Sequence, residues 1–209
     1  MSVDVVTVAG MSVAVINYDR RVTRWEPDAA GRLARAALEL YSGRGFEQTT
    51  VAEIAGRAGL TERTFFRHFA DKREVLFAGA GALQELVVTA VASAPGSATP
   101  IAAAAAGVEA AGALLQERRE FARQRQVVIA ANAELREREL IKLASLASAI
   151  AEALRARGVK DPGASLAAEA AIAAFRIAFE RWTSTTEAPE LPRLIRDALD
   201  ELRAVTAGR

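Results

Sequence analysis

Residues 61–77, TERTFFRHFADKREVLF, combine two adjacent phenylalanines with three arginines, one lysine and the chain's only histidine. A core helix carries few charges and a solvated helix carries few aromatic residues, so this mixture indicates a further partner besides core and water. Phe65 and Phe69 are four residues apart and share one helical face, which we assign to the core. Arg63 and Arg67 share another face, beside Thr64 and His68.

The residues before this stretch predict a second short helix. Thr50 and Glu53 fit a capping box that opens a helix of about two turns, ending near Gly59. The turn AGLT follows, and Thr61 can cap a helix from Glu62 to Phe69. Two short helices joined at a glycine are typical of a helix-turn-helix, whose second helix enters the major groove of DNA.

A longer first helix is predicted to begin near Trp25, with Pro27 in its first turn, and to end at Gly43 and Gly45. Residues 27–77 thereby resemble the DNA-binding domain of the tetracycline-repressor (TetR) family. The residues that carry the resemblance are AALELYSGRGFEQTTVAEIAGRAGLTERTFFRHFADKREVLF, at 36–77. They include a glycine-aromatic pair after the first helix, a Thr-Thr-Val entry to the second, and an aromatic third helix followed by lysine.

The resemblance implies a set of residues that contact DNA: Thr49, Thr50, Arg63, Thr64, Phe66, Arg67, His68 and Lys72. It places the two threonines at a phosphate, where the positive end of a helix already favours anions. It places Arg63, Thr64 and Arg67 near base edges. It places His68 and Lys72 at the phosphate backbone.

Phe66 departs from the family, which usually has tyrosine at this position. A phenylalanine cannot donate a hydrogen bond to phosphate. Either that contact is absent, or the ring packs against a sugar or a thymine methyl group.

The pattern of the remaining residues predicts further helices. Asp71 and Glu74 repeat the capping pattern and predict a longer helix to about Ala92, followed by a linker at 93–100, SAPGSATP. More helices are predicted at roughly 100–117, 118–131, 134–157, 163–184 and 190–206. We therefore expect an all-α fold, with a three-helix DNA-binding domain at 24–79 and a helical ligand-binding and dimerisation domain at 80–209.

Residues 1–23 differ from the remainder, because they are rich in valine and lack a helical period. Asp4 precedes the apolar run and Arg20–Arg21 follow it, the reverse of a signal peptide. We interpret the segment as a flexible tail, and Met11 as an alternative natural start. No uninterrupted apolar stretch approaches the ~20 residues that span a bilayer. We expect a cytoplasmic protein that has no membrane partner.

Apolar residues near the C-terminus recur at helical spacing, which favours helix–helix packing. The ordinary interpretation is a core within one subunit. The family implies instead a homodimer in which two helices meet their copies. That interface comprises Ile172, Phe175, Phe179, Trp182, Ile195, Ala198 and Leu202.

Seven apolar residues are candidates for an effector pocket, although each one also fits an ordinary core: Phe121, Val128, Ile129, Leu143, Leu146, Ile150 and Phe175. Arg123, Arg125 and Gln126 are candidates for polar recognition of the same effector. The chemical identity of the effector does not follow from these residues.

The composition excludes several functions. The chain contains no cysteine, which rules out thiolate metal sites and cysteine nucleophiles, and a single histidine builds no metal site or triad. We expect no enzyme activity, no cofactor and no metal. The net charge is only +1, but residues 20–79 hold 11 Lys and Arg against 8 Asp and Glu. The basic excess therefore lies in the part that predicts DNA binding.

These patterns predict a sequence-specific transcriptional regulator, a repressor released from a pseudo-palindromic operator by a small molecule. An effector-independent activator or global regulator remains an alternative. A helical carrier or adaptor with a vestigial helix-turn-helix is another, and weak salt dependence of DNA binding would favour it.

Overall fold

The computed structural model describes residues 28–185, 187 and 189–208, and the backbone of two short strands nearer the N-terminus. Strands Val5–Val8 (β1) and Met11–Ala14 (β2) pair antiparallel, with Val5 opposite Ala14. The rest of the segment before residue 28 lies outside the described residues, including the predicted helix start at Trp25. The flexible tail and the start at Met11 stay predictions.

The helix-turn-helix forms as the sequence predicts. Helix α1 spans Ala29–Arg44, α2 spans Val51–Arg57 and α3 spans Glu62–His68. Thr50 and Glu53 form the reciprocal capping box of α2, and the Thr61 side chain accepts the Thr64 amide at the start of α3. The turn between α2 and α3 passes through Gly59, whose φ of 68° lies in the left-handed region.

The prediction of one long helix from Asp71 to about Ala92 is wrong. Asp71 accepts the amides of Arg73 and Glu74, but the helix that follows is a single 3-10 turn, Glu74–Phe77. The chain then bends at Gly79, with φ of 86°, and α4 runs over Ala80–Ser93. The Glu74 side chain does not return to the cap. It pairs with Arg138 and Lys142, and this tertiary contact replaces the local one.

Five further helices follow, close to their predicted bounds: α5 Pro100–Gln116, α6 Arg119–Ala131, α7 Ala133–Ala156, α8 Gly163–Ser184 and α9 Leu191–Thr206. Thr99 caps α5, its hydroxyl accepting the Ala102 amide, and Pro100 occupies the first turn. The all-α class and its division into a helix-turn-helix part and a helical C-terminal part are confirmed.

The described residues bury two separate hydrophobic clusters. The N-terminal core joins α1, α2, α3 and the 3-10 helix through large side chains such as Phe46, Phe65 and Phe77. It also includes Val128 and Ile129 of α6. Helix α6 of the C-terminal part therefore completes the core of the DNA-binding part.

The C-terminal core lies among α4, α5, α7, α8 and α9 and consists largely of alanine. Close helix contacts compensate for the small side chains. A Cβ atom on Gly107 would lie 2.8 Å from Val91 Cγ2, and one on Gly112 would lie 2.6 Å from Ile195 Cδ1. Glycine at these two positions lets α5 approach α4 and α9.

The 20-residue stretch Glu74–Ser93 contains an 18-residue window apolar enough to resemble a membrane span, and 28% of that window is buried. It is interrupted at Gly79, however, so α4 alone has 14 residues. Such a helix is about 21 Å long, short of a hydrocarbon core of about 30 Å. One face of α4 packs into the C-terminal core through Val87 and Val91.

Candidate DNA-binding surface

The recognition helix α3 is held by aromatic anchors on its inner face. Phe65 is fully buried and Phe69 nearly so, with their ring centroids 5.5 Å apart. A seven-residue helix is not stable alone, so these anchors supply the tertiary packing that keeps it helical. The assignment of Phe65 and Phe69 to the core is confirmed.

The outer face of α3 presents the predicted DNA contacts. Arg63, Arg67 and His68 are exposed, and Thr64 is half-buried, with its hydroxyl 3.1 Å from that of Thr61. A hydroxyl can both donate and accept, so Thr64 keeps capacity for a second hydrogen bond. The geometry brings these four side chains to one short helix, as the sequence predicts.

Phe66 is 55% exposed, unlike its neighbour Phe65. Its ring meets the Phe65 ring edge-on, with centroids 5.5 Å apart and planes at 81°. The buried ring therefore supports the exposed one from below. Phe66 offers solvent an apolar surface beside the basic side chains of α3.

The start of α2 is organised by Thr50 and Glu53. The Glu53 carboxylate accepts the Thr50 amide at 2.9 Å and is also bound by Arg44, at 2.9 Å. The hydrogen bond from the Thr50 backbone is the main reason that the pKa of Glu53 lies below its ordinary value. Thr50 itself is exposed, as a phosphate contact requires.

Thr49 does not fit the role predicted for it. It is only 1% exposed, and its hydroxyl donates to the Gly45 carbonyl at 2.8 Å. A phosphate contact from this side chain would require the turn between α1 and α2 to open. We therefore correct the predicted contact set by removing Thr49.

Lys72 has an intramolecular role that the sequence did not indicate. Its ammonium donates to the Phe46 carbonyl at 3.0 Å and lies 4.3 Å from the centre of the Phe46 ring. It also lies within 3.4 Å of the carbonyls of Glu47 and Thr49. Lys72 therefore fixes the loop before α2, while its predicted phosphate contact stays a prediction.

Tyr41 of α1 binds the backbone of Lys72. Its buried hydroxyl donates to the Lys72 carbonyl at 2.7 Å. Burial raises the pKa of this phenol, which keeps the hydroxyl protonated as a donor. Helical spacing predicts the buried position of Tyr41, but its partner 31 residues away has no local signal.

Ion pairs distinguish the arginines of this part of the molecule. Arg44 pairs with Glu53, Arg57 pairs with Glu39 at 2.7 Å, and Arg73 pairs with Asp71 at 2.6 Å. Within the described ranges, Arg63 makes no such pair. Its guanidinium is thus available to a partner outside the chain.

The seven residues predicted for an effector pocket do not converge. Phe121, Val128 and Ile129 pack in or against the N-terminal core. The others belong to or pack against the C-terminal core: Leu143, Leu146, Ile150 and Phe175. Helix α6 turns its apolar face toward the DNA-binding part, which divides the predicted set.

The three polar candidates of α6 also bind protein groups. Arg123 donates to the Thr183 carbonyl at 3.2 Å. The side chains of Arg125 and Gln126 both donate to Glu139. Their roles in the structure are thus to join helices.

Most of the predicted dimer interface lies inside one subunit. Trp182 and Ile195 are fully buried, and Ile172 and Phe175 are nearly so, all within the C-terminal core. Phe179 and Ala198 are half-buried against it. The exposed apolar residues on α8 are instead Leu166 and Ile177.

A short capped helix, held by aromatic anchors behind a glycine turn and presenting arginines outward, defines a helix-turn-helix protein of the DNA-binding class. Comparison with known families agrees: "Bacterial regulatory proteins, tetR family" matches residues 33–78, and "MftR C-terminal domain" matches residues 97–207. The chain belongs to the tetR family of bacterial regulatory proteins. Members are transcriptional regulators, so the expectation of no enzyme activity is confirmed.

Two curated relatives match about a third of the chain. The chain is 42% identical over 72 residues to the HTH-type transcriptional regulator TcmR of Streptomyces glaucescens, covering 34% of this chain and 32% of TcmR. It is 33% identical over 58 residues to MftR of Mycobacterium tuberculosis, described as a putative mycofactocin biosynthesis transcriptional regulator. That match covers 28% of this chain and 29% of MftR. The matches thus span about a third of these relatives.

A solved structure matches nearly the whole fold. The complex of SmeT with triclosan superposes with a TM-score of 0.60, covering 86% of this chain and 91% of SmeT, at 21% identity. SmeT is the repressor of a Stenotrophomonas maltophilia multidrug efflux pump. At this identity, the likeness establishes the fold.

Proposed function

We propose that the protein is a homodimeric, cytoplasmic repressor that binds a pseudo-palindromic operator and is released from it by a small molecule. The observation that carries the proposal is the recognition helix. Phe65 and Phe69 fix α3 from within, while Arg63 and Arg67 stand exposed on its outer face. Side chains so placed can reach base edges when the helix lies in the major groove.

The proposed contacts divide by chemistry. Arg63, Thr64 and Arg67 read base edges. Thr50 binds phosphate at the start of α2, where helix N–H groups favour an anion. His68 and Lys72 lie toward the backbone, with Lys72 already holding the loop before α2.

A dimer gives the recognition helix a second half-site, because one seven-residue helix reads too little sequence alone. The outer face of α8 supports this pairing: Leu166, Ala170, Ala173 and Ile177 recur at intervals of four, three and four, and each is exposed or half-buried. Leu202 and Val205 lie on the outer side of α9. We propose that these residues meet their copies, in place of the buried ones predicted from sequence.

The proposal of a small-molecule effector rests on the C-terminal part. Its match to an MftR C-terminal domain and the bound triclosan of SmeT support it. Four residues of the predicted pocket lie on α7 and α8 in the C-terminal core: Leu143, Leu146, Ile150 and Phe175. We propose that an apolar effector enters among them and favours a dimer with differently spaced recognition helices.

The test is selection of bound sequences from random double-stranded DNA by the purified protein, followed by titrations of the selected site. We expect an inverted repeat. Arg63→Ala should lose about 1–3 kcal/mol of discrimination at one base pair in each half-site. Arg35→Ala is the control, because Arg35 is an exposed arginine of α1 that pairs with Asp28. Absence of any enriched sequence would reject the proposal.

The dimer has its own test in light scattering. Ile177→Glu places a charge on the outer face of α8, where the wild-type side chain is 56% exposed, and should yield monomers. Leu140→Glu is the matched control, since Leu140 is 62% exposed on α7 and should leave the dimer intact. A dimer that survives Ile177→Glu with full operator affinity would move the interface elsewhere.

A further inference from the structure

The segment that follows the recognition helix is packed against the C-terminal helices. Val75, Leu76 and Phe77 of the 3-10 helix are buried together with Ile129 of α6 and Leu135 of α7. The recognition helix ends only six residues before the start of this turn. Any shift of α6 or α7 therefore acts on the backbone that directly continues α3.

Glu74 makes the first polar contact across this joint. Its carboxylate binds Lys142 at 3.1 Å and the Arg138 guanidinium, both on α7, and its side chain is only 17% exposed. Partial burial raises the pKa of Glu74, but the two cations outweigh it, and the net pKa lies below its ordinary value. The carboxylate is thus charged when it binds α7.

Arg125 makes the second contact, from α6. Its Nε donates to the Leu76 carbonyl at 2.7 Å, and its guanidinium lies 4.7 Å from the centre of the Phe77 ring. Its Nη1 donates to Glu139 of α7 at 3.2 Å. One side chain therefore joins α6, α7 and the 3-10 helix.

The covalent connection at the same place is less restrained. The chain leaves the 3-10 helix through exposed Ala78 and Gly79, and neither Gly79 nor Gly81 has a heavy atom within 4 Å of an added Cβ. A cleft of about 320 Å³ lies beside this bend, with His68, Phe69, Glu74 and Lys142 among its lining residues. The polar contacts of Glu74 and Arg125 therefore join the two parts across this bend, together with the apolar packing of Val75, Leu76 and Phe77.

We propose that Glu74 and Arg125 are positioning residues that fix the recognition helix relative to α6 and α7, and thereby set the half-site spacing that the dimer accepts. This inference rests on the proposed function. Neither residue belongs to the proposed DNA-contact set. Their effect on binding is geometric, because two recognition helices must lie about one helical turn of DNA apart.

The test uses the selected operator with its spacer changed by −2, −1, 0, +1 and +2 base pairs. Wild type should prefer one spacing sharply. Glu74→Gln should lose about fivefold or more at that spacing and flatten the preference across the series. Glu39→Gln is the matched control, since it removes one carboxylate that pairs with Arg57 entirely within the DNA-binding part.

Charge exchange separates positioning from mere loss of stability. Glu74→Arg should disturb the spacing preference more than Glu74→Gln, because the introduced positive charge would face two cations of α7. Combining it with Arg138→Glu should restore the preference. Arg125→Lys, which keeps the charge but loses the planar fork, provides an independent variant.

A measurement without DNA completes the test. The chain contains no cysteine, so Gln48→Cys gives one spin-label site per subunit on an exposed loop residue. The label-to-label distance in the dimer should be narrowly distributed in the wild-type background and broad with Glu74→Gln.

Unchanged spacing and unchanged distances in Glu74→Gln, with wild type selecting an inverted repeat, would overturn this inference alone. Failure of wild type to select any sequence would overturn the proposed function and this inference with it.

Discussion

The two hydrophobic cores of this protein are built in different ways. The N-terminal core depends on a few large side chains with fixed neighbours, including Tyr41, Phe46 and Phe65. The C-terminal core consists mainly of alanine, and helices approach each other at Gly107 and Gly112. One core is specified by individual anchors, whereas the other is specified by the distance between backbones.

The largest expected effect comes from removing an anchor. Phe65→Ala should lower the free energy of unfolding by about 3–5 kcal/mol, because a fully buried ring is replaced by a cavity beneath the recognition helix. Phe66→Ala is the control on the next residue and should cost about 1 kcal/mol or less, since that ring is exposed. Chemical denaturation measures both.

For DNA binding, the exposed ring of Phe66 matters directly, although its removal costs little stability. Phe66→Ala acts on the proposed contact surface and should reduce operator affinity while the protein stays folded. Equal losses of stability in the two variants would mean that the exposed ring also belongs to the N-terminal core.

A smaller effect is expected from adding atoms to the other core. A Cβ on Gly107 would lie 2.8 Å from Val91 Cγ2 and 3.1 Å from the Val87 carbonyl oxygen, a backbone atom that cannot rotate away. Overpacking typically costs about 1–3 kcal/mol, against a gain of up to about 1 kcal/mol in helix propensity. Gly107→Ala should therefore lower the thermal midpoint.

Gly43→Ala is the control with the opposite sign. Gly43 lies in α1 with no heavy atom within 4 Å of an added Cβ, so only the propensity gain applies. Gly107→Ala with a midpoint at or above that of Gly43→Ala would show that α4 and α5 separate at little cost.

The same contrast explains what could be predicted from the sequence. The caps at Thr50 and Thr61, the glycine turn and the alternation of Phe65 with exposed arginines are local patterns, and the structure confirms that geometry. In the C-terminal part, periodicity predicts each helix but not its neighbours. An apolar stripe such as Ile172 to Trp182 looks the same whether it meets α9 of its own chain or another subunit.

Long-range polar contacts were beyond sequence reasoning for another reason. Glu74 matches a capping box equally well whether it caps its own helix or binds α7, and only the tertiary fold decides. Thr49 matches a family position for phosphate, but its burial depends on how the preceding loop folds back. For Glu74 a tertiary partner displaced the local one, whereas the Thr49 hydroxyl is held by the carbonyl of Gly45, four residues earlier in the same loop.

One variant of Lys72 tests both its intramolecular role and its predicted phosphate contact. Lys72→Ala should lower the stability of the N-terminal core by about 1–3 kcal/mol, because three loop carbonyls lose a charged neighbour. If the ammonium also binds phosphate, the slope of log affinity against log salt should fall by about 0.9. Thermal unfolding and a salt titration on one variant separate these roles, and Lys72→Met controls for the aliphatic stem.

The smallest expected effect is that of Phe66→Tyr. The Phe66 ring is exposed and rests edge-on against Phe65, so a hydroxyl at its outer end meets solvent rather than the core, and stability should change by less than about 0.5 kcal/mol. If the ring end faces a phosphate in the complex, the hydroxyl adds a hydrogen bond to a charged acceptor. Operator affinity should then rise about tenfold or more, because such a bond contributes about 1.5–3 kcal/mol net of its exchange with water. If the ring instead covers a thymine methyl group, the hydroxyl must be desolvated against an apolar surface and affinity should fall.

Operators in which uracil replaces thymine distinguish the phosphate contact from the methyl contact. Removing a methyl group should weaken binding by the wild-type protein, at one position in each half-site, only if Phe66 covers that methyl group. Affinity that is insensitive both to the hydroxyl and to every methyl group would remove Phe66 from the DNA-contact set and leave Arg63, Thr64 and Arg67 as its base-reading residues.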